Sequence, residues 1–220
     1  MFKTETHLHT SESSPCSVYE AAEMVRIYAE AGYSTIIITD HIKEKYIENF
    51  PEKTWEAMIN QFFVGYENAA KAGERYGVNI ILGAEYELNG CPNHYLTYGI
   101  TPEIIRANPD ICKCTPEEFY RIMKENGVLV IQAHPHRNGK CYPTPDAVDG
   151  FEIYNSSPYQ TDYSEKSEAV AKKFGLLITS GSDAHRTEEL TLSGMTSETE
   201  IRTSEDFINL VKSGKGGLIR

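Results

Sequence analysis

Short, β-branched apolar runs alternate with helical stretches along this chain, and that alternation restricts its fold more than any other feature. Ser34–Thr39 (Ser-Thr-Ile-Ile-Ile-Thr) has the pattern of a strand buried on both faces. Phe2–Leu8, Val78–Glu85, Tyr95–Ile100, Val128–Gln132, Gly150–Tyr154 and Leu176–Thr179 read as further strands. A helix is expected over Ser17–Ala31, with Val18, Ala21, Ala22, Val25 and Ala29 on one face and Gly32 beyond its end. Others are expected over Trp55–Tyr76, Thr115–Asn126 and Tyr163–Phe174; the second of these opens Thr-Pro-Glu-Glu, a cap followed by proline and first-turn acids. His41–Thr54 reads as a loop and Asn89-Gly90 as a turn. The end of the chain reads as an extended Glu200–Thr203, a helix Ser204–Val211 and a short strand Gly217–Ile219.

Repeated strand–helix units imply a mostly parallel sheet covered by helices. At 220 residues the chain suits one α/β domain, and five or more such units suit a small barrel better than a two-layer sandwich. An open doubly wound sheet would also put ligands at the C-terminal strand ends, but a barrel brings all of those ends to one mouth.

Six of the seven histidines fall where an expected strand runs out, mostly beside a carboxylate. They lie in Thr6-His7-Leu8-His9-Thr10, Thr39-Asp40-His41, Gln132-Ala133-His134-Pro135-His136 and Ser180-Gly181-Ser182-Asp183-Ala184-His185. On a strand the i and i+2 side chains share a face, so His7 and His9 converge while Leu8 points away. Asp183-Ala184-His185 repeats that spacing with a carboxylate. Asp40 ends the most apolar strand, where an unpartnered charge is costly, and is expected to orient an imidazole or to cap the next segment. Glu85 offers two oxygens and can bridge two ions, as an imidazole cannot. Taken singly, each residue has an ordinary structural explanation. Together they call for a nitrogen–oxygen site suited to Zn, Mn or Fe, with more ligands than one ion takes and so two or three divalent metal ions.

The net charge of −11 disfavours sequence-independent nucleic-acid binding, which relies on Lys and Arg against phosphate. It leaves a phosphorylated small molecule open, because bound divalent ions invert the local field. The cysteines (Cys16, Cys91, Cys112, Cys114 and Cys141) contain no CxxC pair, and a disulfide framework is not expected. No signal-peptide h-region and no membrane-length apolar run is legible, so a cytoplasmic protein without a membrane partner is expected.

The ordered set His7-Leu-His9-Thr, Ile38-Thr-Asp40-His41, Gly83-Ala-Glu85, His94-Tyr-Leu-Thr-Tyr-Gly, Ala133-His134-Pro-His-Arg137 and Gly181-Ser-Asp183-Ala-His185 resembles the PHP (polymerase and histidinol phosphatase) family over most of the chain. The resemblance implies a distorted (β/α)7 barrel over residues 1–220 and a metal-dependent phosphoesterase. It implies one metal on His7, His9, Glu85 and Asp183, a second on Glu85, His94 and His134, and a third involving His41 and His185. It alone promotes His94, otherwise a loop histidine. Where many members carry a further histidine, about six residues after the second His of His-x-His, this chain has Pro15 between Ser14 and Cys16. Glu12 or Cys16 is the available substitute.

The activity so implied is hydrolysis of a small phosphomonoester by a metal-activated hydroxide, with His136 or a metal-bound water as the acid. Arg137 is the expected phosphate clamp, and Lys43, Lys140 and Arg186 are weaker candidates. The loops Ile42–Thr54, carrying Tyr46 and Phe50, and Arg137–Pro145 are placed to cover the site. A hydrolase of C–N or lactone bonds, an exonuclease and a non-catalytic regulatory PHP module are the rivals.

Overall fold

In the computed structural model, which describes residues 1–158 and 163–220, seven strands wrap into a nearly closed barrel. They are β1 (Phe2–Leu8), β2 (Thr35–Ile38), β4 (Asn79–Glu87), β5 (His94–Tyr98), β6 (Leu129–Ala133), β7 (Gly150–Asn155) and β8 (Leu177–Gly181). A short β3 (His41–Lys43) continues the line of β2 along β4. The seam between β8 and β1 is closed by Asp183 N donating to His7 O at 2.8 Å, Thr6 Oγ1 to Ser180 O at 2.7 Å, and a parallel bridge between Leu8 and Ala184. On the same edge of β1, away from β2, the start of that strand pairs with β9 (Gly194–Ser197), which with β10 (Gly217–Ile219) forms an antiparallel extension.

Strands β1, β2 and β4 run parallel to one another, as do β6, β7 and β8, and β5 lies between the two sets. β4 passes through the Asn89–Gly90 turn straight into β5, so β5 runs against both β4 and β6. The start of β5 therefore lies at the mouth formed by the ends of its neighbours. His94 is opposite Glu87 on one side and Ala133 on the other. His94 thus reaches the mouth from the start of its strand, beside the C-terminal ends of β4 and β6.

The helices are α1 (Ala21–Glu30), α2 (Trp55–Tyr76), α3 (Pro102–Ala107), α4 (Pro116–Glu125), α5 (Ser164–Phe174) and α6 (Ser204–Ser213). Helix α1 begins four residues later than its sequence pattern suggests. Ser17–Glu20 is drawn into the loop after β1, and the Glu12 carboxylate accepts from Ala21 N at 2.9 Å at the helix start. Val18, expected inside, is exposed, and the buried stripe is Ala21, Met24, Val25 and Tyr28. The expected loop His41–Thr54 contains β3 and a 3₁₀ turn, Glu44–Asn49. Glu200–Thr203 forms no strand; Ile201 O instead accepts from Thr35 Oγ1 at 2.5 Å. Helix α3 was not expected, although Thr101-Pro-Glu repeats the start seen at Thr115, and Thr101 accepts from Ile104 N. Among the described residues no helix is long and apolar enough to cross a membrane.

The side-chain period of two carries the chemistry on one face and the filling beneath it. Glu85 shares a face of β4 with Ile81, and His94 shares a face of β5 with Leu96 and Tyr98. Ile81, Leu96 and Tyr98 pack with Ile37, Leu129 and Ile131 into a buried cluster that α6 closes with Phe207. The Tyr98 and Phe207 rings stand 4.7 Å apart. Burial of each such side chain contributes about 1.5–3 kcal/mol, so the mouth stands on a dry, well-filled base.

Candidate metal centre

His7 and His9 leave β1 on one face, with ring centroids 5.1 Å apart, while Leu8 packs behind them in the apolar cluster of α1 and β2. Asp183 Oδ1 lies 3.4 Å from His7 Nε2 and 3.2 Å from His9 Nε2. Glu85 reaches the same nitrogens, Oε1 at 3.4 Å from His7 and Oε2 at 3.5 Å from His9. Glu85 also meets His41 Nδ1 at 2.7 Å, His94 Nδ1 at 2.9 Å and His134 Nε2 at 3.3 Å. Ligand atoms of His7, His9, Glu85 and Asp183 all lie within 4.8 Å of one another, as do those of His41, Glu85 and His94, and those of His9, His41 and His185. The structure thus gathers all eight residues that the sequence assigned to metals around Glu85 and Asp183.

Divalent cations fit this arrangement. His7 Nε2, His9 Nε2, His41 Nδ1 and Glu85 Oε2 are buried without a hydrogen bond of acceptable geometry, although carboxylates and imidazoles crowd them. Groups so placed are costly unless a cation joins them. The tautomers agree. His7 Nδ1 is 2.8 Å from Glu152 Oε1 and donates to it, which leaves Nε2 with its lone pair. His185 Nδ1 donates to Asp183 O at 2.7 Å, to the same effect.

Burial alone would raise the pKa of Glu85, but the nearby His94, His41 and His7 hold it well below the usual carboxylate range. Burial works likewise on Asp183 and is overcome by His7, His9 and His185. Burial together with His41 and His185 pushes His9 well down, so His9 is neutral. Burial lowers His94 to about 4 despite Glu85 beside it. His9 and His94 are thus kept neutral and Glu85 and Asp183 ionised, the forms that bind metal, whereas His7, His41, His134 and His185 are raised against the effect of burial.

Sequence reasoning missed the layer beneath. Glu152 on β7 supports two candidate ligands, His7 through Oε1 and the His134 backbone N–H through Oε2 at 3.1 Å. Glu5 Oε1 accepts from the backbone N–H groups of Thr6, His7 and Ser182, tying β1 to the strand end of β8, and burial pushes its carboxyl up to about 7. Glu189 accepts from His185 N and from Ser157 Oγ. A lone acid inside each of the two strands was the available signal for Glu5 and Glu152. Asp40 does not touch an imidazole. It holds Thr10 N and Ser14 Oγ, each at 2.7 Å, and Ser14 Oγ accepts from His41 N and stands 3.5 Å from His9 Nδ1.

Two candidate ligands occupy the left-handed backbone region, His134 with φ 31° and Asp183 with φ 53°. Such conformations in non-glycine residues cost on the order of 1–3 kcal/mol and persist where their surroundings enforce them. Here the enforcing contacts are His134 N to Glu152 and Asp183 N to His7 O. They turn both side chains inward just past the ends of their strands.

At the rim, Arg137 places Nη1 3.3 Å from His134 Nε2 and Nη2 3.4 Å from His94 Nε2. His136 is turned away, with Nδ1 3.1 Å from Ser167 Oγ on α5. Lys43 is paired with Glu87 at 3.0 Å and Lys140 is exposed. Tyr46 and Phe50, with Met58 and Phe62, line a cavity of about 120 Å³ that His41 and Pro15 border. The imidazoles of His185 and His41 draw the Cys16 thiol down to about 5 against the effect of burial.

Comparison with known proteins agrees with this geometry. The family model described as PHP domain matches residues 5–181, and one described as PHP-associated matches residues 163–215. No curated protein matches the chain. Among solved structures, a two-domain protein from Bacteroides vulgatus containing a predicted PHP-like metal-dependent phosphoesterase is 14% identical with a TM-score of 0.71; the alignment covers 99% of this chain and 64% of that one. An amidohydrolase from Chromobacterium violaceum, with bound sulfate and no metal, is 15% identical with a TM-score of 0.55, over 86% of this chain and 89% of that one. The lesion-specific endonuclease EndoQ from Pyrococcus furiosus is 17% identical with a TM-score of 0.61, over 99% of this chain and 57% of that one. The chain therefore spans less than two thirds of the first and third of these proteins. At these identities the likeness is one of fold.

Proposed function

The chain belongs to the PHP domain family, and on that premise we propose that it is a metal-dependent phosphoesterase acting on a small phosphomonoester. In this reading His7, His9, Glu85 and Asp183 hold one divalent ion, Glu85 with His94 and His134 holds a second, and His41 and His185 serve a third. His41 Nδ1 is close enough to Glu85 to serve the second ion as well. Zinc, manganese and iron all suit such donors. Bound there, these ions supply hydroxide near neutral pH and offset the charge of the phosphoryl oxygens.

The chain's own residues account for binding and orientation. Glu152 keeps the His7 lone pair aimed inward. Arg137 carries the phosphate reading, because its planar fork lies at the rim against His94 and His134, where two phosphoryl oxygens can take two parallel hydrogen bonds. His136, bonded to Ser167, anchors to α5 the turn that presents Arg137. The apolar cavity beside His41 takes the organic part of a small substrate. A net charge of −11 speaks against a nucleic-acid partner.

The test is hydrolysis of p-nitrophenyl phosphate by protein whose Zn²⁺, Mn²⁺ or Fe²⁺ content has been measured, beside bis-p-nitrophenyl phosphate, an anilide and a lactone. Preference for the monoester is expected. Metal-loaded protein that cleaves the diester, anilide or lactone but not the monoester overturns the substrate class.

A further inference from the structure

Strand β7 carries a β-bulge that turns a neutral amide toward the cluster. Its pairing with β8 sets Glu152 opposite Thr179 and then Tyr154 opposite Ser180, so β7 holds one residue more than its partner over this stretch. On a regular strand Glu152 and Asn155 would face opposite sides, because side chains alternate. The extra residue returns Asn155 to the side of Glu152, a re-aiming that bulges provide beside functional sites. Asn155 is buried there with its amide between two carboxylates. Nδ2 donates to Glu152 Oε2 at 3.0 Å and to Asp183 Oδ2 at 3.4 Å.

Its partners fix which way the amide points. Asn155 Oδ1 accepts from Ser157 N at 3.1 Å, and the reversed amide would press its oxygen against two carboxylate oxygens. The two N–H bonds of the amide therefore serve one carboxylate each. Asp183 is divided as a result: Oδ2 is held by the amide, while Oδ1 faces His7 Nε2 and His9 Nε2 at 3.4 and 3.2 Å. Glu85 differs. Its Oε1 faces His7, His94 and His134, its Oε2 faces His9 and His41, and Oε2 has no hydrogen bond of acceptable geometry.

We infer that Asn155 is a positioning residue that keeps Asp183 a one-oxygen ligand of the first ion and leaves Glu85 as the carboxylate that bridges to the second. This rests on the metal-dependent reading above. The same amide is bonded to Glu152, which orients His7 and holds the His134 backbone, so one side chain ties three candidate ligands to β7.

Infrared difference spectra, zinc-loaded minus metal-free, provide the readout in protein isotope-labelled at its aspartate carboxyls. Asp183 is the one aspartate among the candidate ligands, and one-oxygen binding separates the two carboxylate stretches more widely than two-oxygen binding does. The unmutated protein should show the wide separation. In Asn155→Ala it should narrow as Oδ2 loses the amide, and zinc affinity, measured against a chromogenic chelator, should fall about tenfold, as for loss of other hydrogen bonds that orient metal ligands. Asn155→Asp, which keeps the acceptor for Ser157 N but replaces the donor with an oxygen, should lose at least as much affinity. A narrow separation or no aspartate shift in the unmutated protein overturns the role of Asn155, and this measurement does not depend on how the variants fold. A wide separation that persists in Asn155→Ala overturns it too, whatever the affinity. Both results leave the metal-dependent reading standing, whereas a protein that binds no zinc overturns both.

Discussion

Glu152 Oε1 and His7 Nδ1 stand 2.8 Å apart, both fully enclosed, and join strands 145 residues apart in sequence. The carboxylate only accepts, so it fixes the His7 proton on Nδ1 and directs the Nε2 lone pair into the cluster. Glu152→Gln offers an amide that can present either its oxygen or its NH₂ group, and it removes the charge that raises the basicity of His7. We expect zinc affinity to fall about 10–100-fold, the cost usual for losing such a supporting carboxylate. Competition with a chromogenic chelator measures this, and unchanged affinity would reduce Glu152 to a packing role.

Arg137 faces the imidazoles of His94 and His134 with both terminal nitrogens. If it clamps a phosphoryl group, Arg137→Ala should raise KM for a phosphomonoester and the inhibition constant for inorganic phosphate by about tenfold or more, in line with the loss of a charge-assisted bidentate pair. Metal content should not change. Arg137→Lys should recover only part of the loss, because an ammonium is a point charge without the fork. A variant with wild-type phosphate inhibition would place Arg137 outside the substrate site.

These residues also mark how far the sequence could be read. The three isoleucines of β2 and the His7–Leu8–His9 spacing are local signals, and local signals locate both strands and the facing of their side chains. Asp183 and His134 were legible as strand-end residues, although the left-handed turns that aim them inward depend on contacts with His7 and Glu152. His94 was legible only by resemblance, because its role depends on β5 running antiparallel, and the Asn89-Gly90 turn that reverses the chain does not tell which residue of the returning strand will face the cluster. Helix α1 was placed too early because Glu12, a residue outside the helix, decides where it starts. Glu5 and Glu152 were overlooked for a different reason: a single acid within a strand has no meaning until the strand facing it is known.

Gly65 lies inside α2 where the helix presses on the loop after β1. A Cβ there would stand 2.6 Å from Asp40 Oδ2 and 2.7 Å from Ser13 Oγ, and would collide with Thr10 Oγ1. None of these atoms can move freely: Asp40 is bonded to Thr10 and Ser14, and Ser13 Oγ accepts from Gly65 N. Alanine would favour the helix by about 1 kcal/mol through propensity, but overpacking typically costs about 1–3 kcal/mol and here strikes a hydrogen-bonded cluster. Gly65→Ala should therefore be net destabilising in urea unfolding and should also weaken zinc binding, since the displaced loop carries His9. A stabilised variant would mean that the loop yields readily.

Glu5 makes the stability of the metal-free protein depend on pH. Burial raises its carboxyl from the ordinary 4.5 to about 7 in the folded chain. Below pH 4.5 both states carry the proton. Between 4.5 and 7 the folded state holds a proton that the unfolded state has released, so the contribution of Glu5 to stability falls as pH rises and is fully lost above 7. At 1.36 kcal/mol per pH unit the loss amounts to about 3 kcal/mol. Glu5→Gln does not titrate in this range, yet its amide oxygen can still accept from the His7 and Ser182 N–H groups. The unfolding free energy of the wild type minus that of Glu5→Gln, measured in urea with a chelator present, should thus fall by about 3 kcal/mol from pH 4.5 to 7.5. A flat difference would show that Glu5 keeps one protonation state across that range in both folded and unfolded chains, and that the pH dependence has its source elsewhere in the cluster.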